Sequence, residues 1–155
     1  MPKRWSQILA LLVFLPVACS TPPLDDDESV GDWAQYTIED APPRRDLLNA
    51  CEWAVIQAGF PPASRDETRG SVTSGWDTNL HPYSKKGRRW QGILKVVDNP
   101  NGEGFILKSR VIAERNMEVN DTMNPAAADW ERVADEPARA RILMQHVLSQ
   151  LHITG

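Results

Sequence analysis

Cysteine is scarce in this chain of 155 residues: there are two, Cys19 and Cys51. Two cysteines cannot supply the disulfide framework on which small secreted domains often depend, so the fold must rest on an apolar core. Histidine is nearly as scarce, at three. His146 and His152 are six apart, which puts them on different faces of a helix, and no His, Cys and Asp cluster has metal-ligand spacing. Positive charge is also short. Lys and Arg number 17 against 21 Asp and Glu, a net charge of −4, which argues against wholesale nucleic-acid binding. Neither a phosphate-binding glycine loop nor a nucleophile-elbow pattern occurs. The run from Asp98 to Gly104 invites a calcium reading, but Pro100 takes the third position and Gly102 the fifth, so a plain turn is expected. These shortages leave no catalytic residue, metal or cofactor to propose.

What is present begins at the N-terminus. Lys3 and Arg4 precede an almost unbroken apolar run from Ile8 to Val17, with Ala18 and Cys19 directly after it. The run falls short of the roughly 20 residues that span a bilayer, and its basic flank and small-residue exit fit a secretory signal. With Cys19 in place it resembles the signal of bacterial lipoproteins, although Pro16 stands where that class usually has Leu. The resemblance implies cleavage before Cys19, lipidation of Cys19 with fatty-acyl chains such as palmitate, and a membrane anchor. Ser20, rather than Asp, implies export to the outer membrane. The other reading is an ordinary secreted protein, cut elsewhere, with Cys19 incidental.

Three regions follow: a signal peptide at 1–18, a lipidated Cys and acidic, Pro-rich tether at 19–43, and a single domain at 44–155. Losing Lys3 and Arg4 with the leader would deepen the net charge from −4 to about −6. The tether holds Asp25, Asp26, Asp27 and Glu28, a composition that cannot bury enough apolar surface to order itself. Trp33, Tyr36 and Ile38 interrupt it, either as a first strand clamped onto the domain or as a partner-binding segment of the tether.

In the body, apolar spacing at Leu47, Cys51, Ala54, Val55 and Ala58 predicts a helix over 44–58, stopped by Gly59 and Pro61-Pro62. Cys51 falls mid-helix among apolar neighbours and reads as a small buried hydrophobe. Strands are predicted at 71–77, 88–98 and 104–114, the last two joined by Asn99-Pro100-Asn101-Gly102 as a hairpin. Alternation puts Trp76 and Trp90 on the inward face. Residues 115–135 read as irregular, with a short helical turn near Ala126–Trp130. A second helix is predicted over 136–151, N-capped by Asp135, with Leu143, Met144, Val147, Leu148 and Leu151 buried. The expected fold is α+β: a two-layer sandwich of helix, three-stranded antiparallel meander and helix, with both helices on one sheet face. In order of elements the body is faintly similar to small accessory envelope lipoproteins, such as component C of the outer-membrane β-barrel assembly machine.

One feature stands out in an acidic protein. Lys85, Lys86, Arg88 and Arg89 crowd into five positions. Arg89, Ile93 and Lys95 on the second strand would share the sheet face opposite the helices with Ile106, Lys108, Arg110 and Ile112 on the third. A face both basic and apolar suits an envelope protein partner, or an anionic lipid or polymer; ordinary filling of an exposed sheet is the alternative. The expected function is a lipid-anchored, non-enzymatic adaptor or assembly accessory facing the periplasm. The alternative is a binding module for an anionic envelope lipid or polymer.

Overall fold

A computed structural model describes residues 31–153. The leader, Cys19 and the acidic block at 25–28 lie outside the described residues. Along the chain come β1 (Ala34–Ile38), α1 (Arg44–Gln57), β2 (Ser64–Asp66), β3 (Ser71–Thr73), β4 (Asp77–Asn79), β5 (Arg88–Asp98), β6 (Phe105–Asn116), β7 (Trp130–Arg132) and α2 (Pro137–Gln150). The described strands make one antiparallel sheet of seven, ordered β1-β6-β5-β3-β2, with β4 also paired to β5 and β7 to β6.

The three-stranded meander is therefore corrected to a seven-stranded sheet, and the described part of the molecule is mostly sheet. The reason is length. β5 and β6 have 11 and 12 residues and alternate long enough to be legible. β2, β4 and β7 have three residues each, too few to show a period of two. β1 hides in the stretch assigned to the tether. Of the two readings of Trp33–Ile38, the strand is the one observed. Tyr36 stands opposite Leu107 and Ile38 opposite Phe105 on β6, so the tether's apolar residues join the core.

The predicted strand over 71–77 breaks in two. Thr73 pairs with Ile93 and Asp77 with Trp90, so three residues, Ser74–Trp76, stand opposite two, Gln91 and Gly92. This extra residue is a bulge, which reverses the faces of everything beyond it. Ser74 holds it: its N–H donates to the Gly92 carbonyl, and its Oγ accepts from the Gly92 N–H, both at 2.8 Å. Trp76 consequently leaves the inward face on which alternation placed it, while Trp90 stays.

Both helices pack on one face. Leu47, Leu48, Cys51, Ala54 and Val55 of α1 and Leu143, Met144, Val147 and Leu148 of α2 join Val72, Leu94, Val96, Leu107 and Val111 in a single core. Burying each large aliphatic side chain is worth about 1.5–3 kcal/mol. A Cβ at Gly92 would lie 2.9 Å from Leu143 Cδ2, so glycine there leaves room for the Leu143 side chain. Ser109 is fully buried and donates from Oγ to the Ala140 carbonyl at 2.9 Å. The α1 terminus matches expectation: Gly59 adopts φ +82° and the Phe60 N–H returns to the Val55 carbonyl.

Residues 115–135 differ most from expectation. In place of a helical turn near Ala126–Trp130, Trp130–Arg132 pairs with Glu114–Asn116. Buried Asn116 organises the loop that follows it: Oδ1 accepts from the Glu118 and Asp129 N–H groups, and Nδ2 donates to the Thr122 carbonyl. The chain then follows the β6 edge, Val133 N–H donating to Ala113 and Glu136 N–H to Val111. Strand β6 thus finds partners on its outer side from β1 through 133–136 to β7, leaving little of that edge open.

Candidate binding face

The register of β5 and β6 fixes the face opposite the helices. Arg89 stands against Glu114, Gln91 against Ile112, Ile93 against Arg110, Lys95 against Lys108, and Val97 against Ile106. Of the ten residues proposed for binding, seven therefore share it: Arg89, Ile93, Lys95, Ile106, Lys108, Arg110 and Ile112. Arg88 has the other parity and pairs with Arg115 and Asn79. Lys85 and Lys86 are exposed on the loop before β5.

The face is not open along its length, as alternation alone suggested. Ile93, Lys95, Arg110 and Ile112 are 7%, 8%, 9% and 1% exposed, whereas Ile106 and Lys108 are half-buried. Two clusters of arginine and tryptophan occupy its ends.

At the first, the Arg89 guanidinium lies 4.2 Å from the Trp76 ring centroid and 4.6 Å from that of Trp130. Its Nε donates to Glu114 Oε2 at 2.7 Å. The bulge delivers Trp76 and β7 delivers Trp130, so one cation clips three elements together. Such contacts contribute about 0.5–2 kcal/mol, more as water is excluded. Arg89 is thereby committed within the molecule.

At the second, Asp135 is the hub. It accepts from Arg110 Nε at 2.6 Å, from an Arg132 terminal nitrogen at 2.6 Å, and from the Asp32 N–H at 3.3 Å. Burial opposes ionisation of this carboxyl, but the hydrogen bonds and charges of Arg110 and Arg132 outweigh it and hold the group below its ordinary range. This corrects its expected role, since the N-cap of α2 is Glu136 and makes no side-chain cap bond. The Trp33 ring lies across the same region, 5.5 Å from Lys95 Nζ and 5.7 Å from Arg110 Cζ. Trp33 Nε1 is buried without a hydrogen-bond partner. Gly31, at φ +134°, rests its backbone on Arg110, where any Cβ would collide with the guanidinium. The chain thus arrives in the described structure across this face.

Beyond Trp33 lie Lys108 and Ile106, the part of the proposed surface that is partly accessible. A feature not anticipated from sequence is a groove of about 810 Å³ between β1 and α2, lined among others by Trp33, Tyr36, Arg141, Met144 and Leu148. Its only sequence signal was Arg141 beside the apolar stripe of α2.

Elsewhere, Cys51 is fully buried and its thiol is pushed up to about 12, by burial first and by neighbouring Glu52 second. A thiol so held stays protonated and is a poor nucleophile. Among the described residues no group of three or more His, Cys, Asp or Glu could hold a metal ion, and no helix is long and apolar enough to cross a membrane. No known protein family matches the chain, and no curated protein does.

Proposed function

We propose that this protein is a lipid-anchored envelope lipoprotein that acts as a non-enzymatic adaptor, docking a protein partner on the helix-free face of its sheet. The observation that carries the reading is the stretch of β6 on the face opposite both helices where Lys108 and Ile106, both half-buried, lie together beyond Trp33. Cations among aliphatics give a surface both steering charge and apolar area to bury. The leader supports the anchor, because lipid on Cys19 would hold the domain at the membrane with the sheet free to engage a neighbour, at the periplasmic side of the outer membrane.

Two measurements test it. Cys19→Ser should move the protein from the membrane to the soluble fraction, because stable anchoring needs acyl chains. A Cys19→Ser protein that stays with membranes through a high-salt wash contradicts the anchor. The soluble variant should then fail to co-sediment with phosphatidylglycerol vesicles. Salt-sensitive co-sedimentation that is lost with Lys108→Glu would instead favour an anionic lipid as the ligand.

A further inference from the structure

β1 stands at one end of the strand order and β2 at the other, and the two are not alike. β2 has three residues, Ser64–Asp66, two of them charged. β1 has five, Ala34–Ile38, with neither charge nor proline. Shortness, charge and proline are what ordinarily keep an edge strand from pairing again. The inner side of β1 is paired with β6. Among the described residues, none hydrogen-bonds to its backbone on the outer side. That side is a row of donors and acceptors that an extended chain can satisfy.

Beside that edge runs the groove of about 810 Å³ between β1 and α2. Its two walls match in length. From Pro137 to Leu148 the helix rises about 16 Å, and from Gly31 to Tyr36 the extended chain covers about 16 Å. Half-buried Trp33 and Tyr36, with buried Met144 and Leu148, supply the apolar lining. Arg141 and Gln145 are exposed on the helix wall. Arg141 makes no ion pair or hydrogen bond through its side chain among the described residues. Asp32, the other charge on the lining, precedes β1. One anionic group is therefore favoured at Arg141, and a long acidic run is not.

We propose that the crevice between β1 and α2 docks an extended peptide segment of a partner protein, which adds as a strand to the outer edge of β1 and sets a carboxylate on Arg141. Main-chain hydrogen bonds to β1 supply affinity, and alternate side chains of the peptide, apolar ones, meet Tyr36, Met144 and Leu148 and supply specificity. A second copy of this chain fits less well. A two-fold contact brings the same patch against itself, so groove would meet groove and both would stay unfilled. The site is separate from the helix-free face and stands or falls independently of the adaptor reading.

The test pans a phage-displayed library of random heptapeptides against the full chain carrying Cys19→Ser. Recovered peptides should alternate apolar residues and carry one Asp or Glu. A synthetic copy of the most enriched peptide should shift the amide signals of Gln35, Tyr36, Thr37 and Arg141 in the isotope-labelled chain. It should slow hydrogen exchange of the outer β1 amides several-fold and leave the signals of Lys108 and Ile56 in place. Arg141→Glu breaks no contact within the chain, so the melting temperature should hold. The variant should bind that peptide about tenfold more weakly, and a peptide with Lys in place of its acid should recover the loss. A library with no binder above background, peptides that shift Lys108 instead, or affinity indifferent to Arg141→Glu overturns the proposal. So does slow exchange of the outer β1 amides before any peptide is added. A dimer by sedimentation would then assign the edge to a second copy, and a monomer would assign it to the chain's own termini.

Discussion

Arg110 on β6 and Asp135 just before α2 form an ion pair of 2.6 Å in which the side chains are 10% and 7% exposed. Removing one partner of a buried pair strands the other, at a cost of about 3–5 kcal/mol. Asp135→Ala should therefore lower the urea midpoint substantially, and it should also release the Asp32 backbone and Arg132. Replacing Arg110 and Asp135 together with Met and Leu should cost less than Asp135→Ala alone. A double variant as unstable as the sum of both singles would show that the pair is not a unit.

The same carboxyl sets an acid limit. Its folded pKa is depressed by Arg110 and Arg132 in spite of burial, so the unfolded state binds the proton first. The stabilisation is complete above the unfolded value of about 3.9 and is lost as pH falls through the lower folded value. Urea midpoints measured downward from neutral pH should fall in that window, and Asp135→Asn should flatten that part of the profile. An unchanged profile would mean another carboxylate governs acid unfolding.

Leu94 and Lys108 separate the two faces of the sheet. Leu94 is fully buried, and Leu94→Ala should cost about 2–5 kcal/mol by leaving a cavity. Lys108→Glu, on the accessible part of the opposite face, should change stability by less than about 0.5 kcal/mol. Thermal melts that reverse this order would put the register out by one residue.

The long elements were legible because they repeat: β5 was placed residue for residue, and α1 and α2 to within a residue or two, from apolar spacing alone. What escaped was short or set by tertiary contact. A bulge is one extra residue, and nothing at Ser74-Gly75-Trp76 announces that Trp76 will cross to Arg89. β7 has three residues, and its place depends on Asn116 bonding backbone far along the loop. Asp135 looked like a cap because the local pattern favours one; Arg110, distant in sequence, claims it instead. The helix-free face was half legible. Alternation placed its β5 and β6 residues, but it carries no information about Trp33, which lies over Lys95 and Arg110, or about Asp135, which claims Arg110.

Arg89 offers a check on the bulge. Lys cannot stack between the Trp76 and Trp130 rings while keeping the guanidinium's bond to Glu114. Arg89→Lys should cost about 0.5–2 kcal/mol and shift tryptophan emission to the red as water reaches the rings. Emission unchanged from the parent would mean that Trp76 is held without Arg89.

Cys51 should be silent toward thiol reagents in buffer and react promptly in denaturant, because its pKa near 12 and full burial leave almost no accessible thiolate. Rapid labelling of the folded chain would place α1 in the wrong rotation.

The central claim is that the sheet face, and not the helix layer, meets the partner. A photo-reactive amino acid placed at Lys108, and in a separate variant at exposed Ile56 on α1, tests it in intact cells expressing the chain from Met1. The account predicts a discrete adduct from position 108, lost when Lys95→Glu is added to a protein that still folds, and none from position 56. An adduct from position 56 with none from 108 would contradict it.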